Sequence, residues 1–377
     1  MSPAAAPRRK PLLILVSLVA LPVVVALAVV AFAWPAARLA PRDLPLGVVG
    51  SSPAGASLAL ALEQAEPGAF TVTLYGSDAA ARAAIENREV YGALEPAGGR
   101  LTVLTASAAG PTVAQLIVQV GDGIAAKSAA HGKPLTVAVA DVVPSSPNDP
   151  RGVVLSSALL PMTICSTIIA SAIAILVGIR PAWRQVLTLA IVCALTGLSA
   201  YLVAQGCLGA LPGRHLETWA ALALAMFSMS ATIAGFIALF GPRGMGIGAV
   251  LLVFLGNPFS GVTSAPELLP GTAAEIGRLL PPGAGASLLR DTAYFHGHGP
   301  AEHLVVLIGW SLFGIVSIFL GHHSFIGHAA RSYRESRSEI SPIRSRETER
   351  IAPLARTSDV SFPTNPAVPG APNARRS

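Results

Sequence analysis

Six stretches of this chain are apolar over roughly the ~20 residues that cross ~30 Å of hydrocarbon as a helix. They run over 12–33, 153–179, 186–211, 219–240, 245–262 and 304–320, and none holds Asp, Glu, Lys or Arg in its interior. The fifth is rich in Gly and is interrupted by Pro258. Only 12% of the 377 residues are charged and 52% are hydrophobic, against about 25% charged in soluble domains. A soluble enzyme and a disordered chain are excluded as descriptions of the whole. The expectation is an α-helical multi-span membrane protein of six transmembrane helices, embedded in a lipid bilayer. A charge at mid-membrane costs several kcal/mol and marks ion or proton paths. The bare interiors therefore speak against a proton- or ion-coupled transporter.

Charge placement predicts orientation. Arg8, Arg9 and Lys10 precede the first span, Arg180 and Arg184 separate the second from the third, and Arg243 separates the fourth from the fifth. Arg331, Arg334, Arg337, Arg344 and Arg346 follow the sixth. With six spans these positions share one side, which places both termini in the cytoplasm of a plasma-membrane protein. Arg278 and Arg290, in the outer segment, spoil the count. The formal charge of +6 is thus an orientation signal and does not imply nucleic acid. The first apolar run is about 22 residues, longer than the 7–15 of a cleavable signal, so it reads as an uncleaved anchor. Cleavage, the alternative, would leave five spans. Lysine occurs only at Lys10, Lys127 and Lys133 beside heavy Ala and Pro use, the composition of a GC-rich bacterial genome.

Four regions follow: an anchor over 1–40, an extracytoplasmic α/β domain over 41–150, a five-helix membrane domain over 151–325, and a Ser/Arg/Pro-rich tail over 326–377 expected to be disordered. In the outer domain, strands are expected at 44–50, 70–75, 90–94, 101–105 and 135–143. Helices are expected at 56–66, from an N-cap at Asp78 to Arg88, and from Pro111. The order β-α-β-α-β-β-α-β suggests a covered sheet with room for one core. Residues 144–150 read as a Pro-rich hinge.

The most informative stretch is 256–295. Asn257 and Pro258 break the fifth span, and Pro266, Pro270, Pro281 and Pro282 follow. Amphipathic pieces at roughly 271–280 and 284–294 make 263–300 an outer re-entrant or interfacial cap, since irregular backbone at membrane depth must be covered. Ile276, Leu279 and Leu280 share one face of the first piece. An ordinary outer loop is the bland alternative. Cys165, Cys193 and Cys207 all lie in apolar runs and make no disulfide or metal motif. His296, His298, His322 and His323 lack the convergent partners a metal needs. Glu267, Glu275 and Glu302 are lone carboxylates. Trp34, Trp183 and Trp219 stand at span ends as interfacial anchors. No catalytic residue, metal or cofactor is expected.

Three local features carry a resemblance: IENREVYGAL at 85–94, NPFSG at 257–261 followed by SAPE at 264–267, and LPPG at 280–283. In their order relative to the spans, over roughly residues 8–325, the chain resembles the phage-infection-protein-like branch of type-2 ABC exporter permeases. The resemblance implies a homo- or heterodimeric permease half that moves an amphiphilic or envelope-related substrate outward. ATP would bind a separate nucleotide-binding subunit, since this chain has no GxxxxGK[ST] loop. It implies a substrate path near spans two and five, where Ser156, Ser157, Thr163, Ser166, Thr167, Gly246 and Gly248 supply small and hydroxyl side chains; Thr196 and Ser199 add to them from span three. Helix packing within one protomer would use the same residue types. Asn257, Pro258, Pro266, Glu267, Pro281 and Pro282 would form the outer cap. The chain departs from the family in its short leader before span one and its short inner loop between spans two and three. A non-transporting envelope, secretion-accessory or receptor-like protein is the alternative.

Overall fold

A computed structural model describes residues 9–50, 53–176, 181–299 and 301–322. Arg8, Arg180, His323 and the tail over 326–377 lie outside the described residues. Helix α1 (Arg9–Ala37) carries Pro22 and Pro35. Its apolar side chains from Leu18 to Val30 are largely exposed, as lipid-facing residues are. Near its end, the Phe32 ring packs edge-on to Phe254 and Trp34 packs on Phe259, each pair with centroids 6.4 Å apart.

The outer domain follows. Its elements are β1 (Leu44–Val49), α2 (Pro53–Ala65), β2 (Phe70–Tyr75), α3 (Asp78–Glu86), β3 (Gly92–Ala97), β4 (Arg100–Thr105), α4 (Pro111–Ala130) and β5 (Thr136–Asp141). The order of types is the one expected from periodicity. The sheet runs β2-β1-β3-β4-β5. β1 is parallel to β2 and β3, β3 and β4 form an antiparallel hairpin, and β4 and β5 are parallel. The hairpin turns at Gly98 and Gly99, both at positive φ (54° and 81°), which only glycine adopts without strain and which the strand twist favours.

Two local expectations are corrected. The α3 N-cap is Ser77, whose hydroxyl accepts from the Ala80 N–H at 3.2 Å. Asp78 enters the first turn and pairs with Arg82 at 2.7 Å. The domain has two cores, one on each side of the sheet. Leu44, Leu46, Leu94, Leu101 and Val103 pack with α2 and α4, while Ala93 and Leu104 pack with Ala81, Ala84 and Ile85 of α3.

The chain then enters the bundle. Residues 144–150 are no free hinge: the Ser146 hydroxyl donates to the Gly209 carbonyl at 2.6 Å, and the buried Asp149 caps the next helix through the Val153 and Val154 N–H groups, both at 2.9 Å. That helix is α5 (Val153–Leu176). α6 (Ala182–Tyr201) is prolonged by a π-helical segment (Leu202–Cys207), and α7 (His215–Phe240) follows. α7 is the central post, with buried residues on every face from Ala221 to Gly235. The Ser230 hydroxyl reaches the Ser166 carbonyl of α5 at 3.2 Å, and the Trp219 indole donates to the Ala194 carbonyl of α6 at 3.0 Å.

Gly241 alone links α7 to α8 (Pro242–Ala249), which continues as a π-helical segment (Val250–Gly256). This is where the fifth expected span departs from expectation. The apolar helix Pro242–Gly256 is short for a crossing, and at 1.5 Å per residue it covers only about 22 Å. Asn257 and Pro258 end it. Together with α11 (Glu302–His322), five helices among the described residues are long and apolar enough to cross a membrane, where six were expected. Phe313 of α11 packs on Phe236 of α7, centroids 5.5 Å apart.

Between these lies the cap: a 3-10 turn (Pro266–Leu268), α9 (Gly271–Leu279) and α10 (Pro281–Tyr294). The two helices fall where the amphipathic pieces were expected. α9 turns Ala273, Ala274 and Gly277 inward and leaves Ile276 and Leu279 exposed. Leu280, expected on their face, is buried after the helix ends. α10 is buried along nearly its whole length.

Candidate functional site

The cap is built into the outer domain. Ala265 and Leu268 belong to the core that holds α2 and α4, and Phe295, 1% exposed, belongs to the α3 core. Backbone joins them too: the Ala40 and Arg42 N–H groups donate to the Leu268 and Glu267 carbonyls at 3.0 and 2.9 Å. The Thr112 hydroxyl donates to the Thr263 carbonyl at 3.2 Å.

At the centre of this seam lies a buried group of charges. α3 ends with the Glu89 N–H reaching back to the Ala84 carbonyl at 2.9 Å, and Arg88 takes the left-handed position, φ 59°. Glycine is the usual occupant of such a position, and an L-residue there costs roughly 1–2 kcal/mol. The arrangement persists where surroundings over-determine it, and here they do. The Arg88 guanidinium pairs with the Asp291 carboxylate of α10 and lies 5.3 Å from the centroid of the Phe295 ring. The side chains of Arg88 and Asp291 are 10% and 3% exposed. The loop after α10 closes over Asp291 through two successive left-handed residues, His296 and Gly297, with the Gly297 N–H on the Asp291 carbonyl at 2.9 Å. Backbone geometry thus accounts for His296.

Beside the pair, the Tyr91 hydroxyl donates to Glu267 Oε2 at 2.6 Å, and Arg278 lies 3.7 Å from Glu267 Oε1. Arg290 is buried and donates to the Val262 carbonyl at 3.1 Å. A cavity of about 100 Å³ between these groups is lined by Pro45, Arg88, Tyr91, Glu267, Arg278 and His303, polar enough and large enough for ordered water.

Burial and charge set the protonation here. Burial, then Glu267, pushes the Tyr91 phenol up, so it remains a donor. Burial lowers Arg290 to about 10, with Arg88 adding to the effect, yet it stays charged at neutral pH. For Arg88, burial pulls down most strongly of any single cause, but Asp291 outweighs it together with Tyr91 and Glu267, and the net direction is up. Burial raises Asp291 against the pull of Arg88. These groups bind two structural bodies together. A buried pair of this kind adds little against an apolar replacement, but losing one partner costs about 3–5 kcal/mol.

The expected site residues distribute unevenly. Glu267 and Pro266 line the junction cavity. Pro281 and Pro282 open α10, and Asn257 and Pro258 line a separate crevice of about 210 Å³ between α1, α5 and the cap, together with Ser156. Thr163, Ser166 and Gly248 face α7 inside the protomer. Thr163 and Thr167 bond to their own helix's carbonyls at Leu159 and Thr163, each at 2.9 Å. Ser157 and Gly246 are exposed. The small and hydroxyl residues therefore do not gather into one site.

Arg88, Tyr91, Arg290 and Asp291 were not singled out as site residues from the sequence. The available signal was charge out of place. Arg278 and Arg290 broke the inside-positive pattern, and an Arg-Asp doublet stood in a stretch of small and apolar residues. No group of three or more His, Cys, Asp or Glu that could hold a metal occurs among the described residues. Compared with known proteins, the chain matches no family model, no curated protein and no solved structure.

Proposed function

We propose that this chain is the permease subunit of an ABC-type exporter in a bacterial plasma membrane, moving an amphiphilic or envelope-related substrate outward. It works as a homo- or heterodimer, with ATP on a separate nucleotide-binding subunit, and catalyses no chemistry itself. In this reading the short α8 and its π-helical extension make the sixth crossing beneath the outer cap, and both termini are cytoplasmic. Of the small-residue set, the exposed Gly246 faces the path between protomers.

One observation carries the reading. The three stretches that resemble the exporter family, distant in sequence, meet at the junction: Arg88 and Tyr91 from the first and Glu267 from the second, with the third opening the α10 helix that supplies Asp291. In this reading the joint passes rearrangement of the bundle to the outer domain, since α10 packs on α7 and its last residue, Tyr294, on the core that holds α3. The test is affinity capture from native membranes followed by ATPase assay. A co-purifying ATPase stimulated by substrate is expected, and capture without any ATPase overturns the proposal. Orientation is tested separately, with an impermeant maleimide on Gly132→Cys and Arg243→Cys, both exposed positions, in protein whose Cys165, Cys193 and Cys207 are replaced by Ala. The first should label in intact cells and the second only after permeabilisation.

A second reading, a non-transporting envelope or receptor-like protein, is favoured by the single-residue link at Gly241. That link gives an ATPase little to grip.

A further inference from the structure

α5 and α6 both pack on α7 but diverge at the ends nearest the outer domain. They leave a groove of about 570 Å³ floored by Met226. The sequence explains the divergence. Pro161 has no N–H to give the Ser157 carbonyl, one turn back in α5. Across the groove α6 loosens into its π-helical segment, a feature common at functional sites. Pro161 and Ser157 line one wall, and Val203 and Ala204 of the π-helical segment line the other.

We propose that this groove binds one acyl chain of an anionic phospholipid from the leaflet next to the outer domain. The proposal concerns binding and does not depend on transport. First, the lining is apolar. The Thr196 and Ser199 hydroxyls on it already donate to the Val192 and Leu195 carbonyls of their own helix, at 2.8 and 3.0 Å. They ask nothing of an occupant.

Second, the length fits. The wall from Val154 to Cys165 covers about 16 Å at 1.5 Å per residue, half the ~30 Å core and hence one leaflet's chain.

Third, an exposed cation stands beside the mouth. The groove ends where residues 144–152 join the bundle. There Asp149 spends both carboxylate oxygens on the α5 N-terminus. Arg151, two residues before the first wall residue, is exposed and has no carboxylate partner among the described residues.

The native cysteines provide the test. Cys165 lines the groove, whereas Cys207 is exposed elsewhere on the π-helical segment. Full-length protein is stripped of lipid in detergent and then given phosphatidylglycerol. Alkylation of Cys165 by N-ethylmaleimide should slow several-fold and that of Cys207 much less. Native mass spectrometry should find one retained phosphatidylglycerol, lost in both Ala158→Phe and Ala200→Phe. In Arg151→Gln the preference for phosphatidylglycerol over phosphatidylcholine should disappear. Equal protection of the two cysteines overturns the proposal without any mutation. Unchanged retention in both filled variants also overturns it. So does a Cys165-to-Cys165 crosslink between protomers in native membranes, which would put a second copy in the groove.

Discussion

Arg88 joins two costs that neither domain would carry alone: a left-handed backbone and a buried guanidinium. Each is offset only by the partner domain, so the pair is asymmetric to mutation. Asp291→Asn leaves Arg88 buried without a counter-charge and should lower stability by about 3 kcal/mol or more. Arg88→Met combined with Asp291→Leu should recover most of that loss, read as the melting temperature in one detergent. If the double variant melts as low as the single one, the charges are holding more than each other. Tyr91→Phe strips Glu267 of its donor, at about 1–3 kcal/mol. The phenol has a higher pKa folded than unfolded because of burial and then Glu267. Its contribution is therefore complete below pH 10 and declines only as pH rises beyond that. Protease resistance of the junction should be flat up to pH 10 and fall above it in the wild type, while Tyr91→Phe lacks that component. Sequence showed only charges out of place, not how they pair: a non-glycine residue at positive φ leaves no pattern, and Asp291 lies some 200 residues from its partner.

Elements were far more legible than contacts. The strand alternation at Phe70–Tyr75 and the helix opened by Pro111 appear at the expected bounds, because period and punctuation are local signals. The cap helices were legible for the same reason, bracketed by Pro270, Pro281 and Pro282. The fifth span was not. Hydropathy gave 245–262 the apolar character of a crossing, but Asn257 and Pro258 stop the helix and the remaining apolar residues turn back under the cap. In α9 the large residues Ile276 and Leu279 do share one face, but periodicity alone did not say that it is the exposed one. In a bilayer the large apolar residues can face lipid while small residues face protein, and α9 follows that rule. Gly277 shows how close the contact is. A Cβ there would lie 1.7 Å from the Phe259 carbonyl oxygen, whereas one at Gly271 meets nothing within 4 Å. Gly277→Ala must move backbone, a strain of about 1–3 kcal/mol or more, and should cut the yield of monodisperse protein sharply. Gly271→Ala should leave it unchanged or slightly raised. Equal behaviour of the two would mean the cap is not packed as described.

At the scale of the molecule, the outer domain was expected to stand on a hinge with one core of its own. Instead it has two cores, and the cap completes both: Ala265 and Leu268 on one side, Phe295 on the other. The alternation that revealed the sheet could not reveal this, since a face covered by a residue 200 positions away looks the same as one covered by the next helix. Shared cores imply shared cooperativity. The outer domain and the cap should unfold together, because neither buries its apolar face without the other. Phe295→Ala tests this directly. The substitution lies in the cap, and deletion of a buried aromatic costs about 3–5 kcal/mol. If the two form one unit, amide exchange in β3 and β4 of the outer domain should speed up by the same free energy as exchange in α10. In an independent outer domain, Ala93 and Leu104 would lose one neighbour and little protection, and only α10 would exchange faster. The first outcome makes the junction a joint that transmits movement of the bundle without yielding. The second would make it a surface that opens, and Arg88 with Asp291 the latch on it.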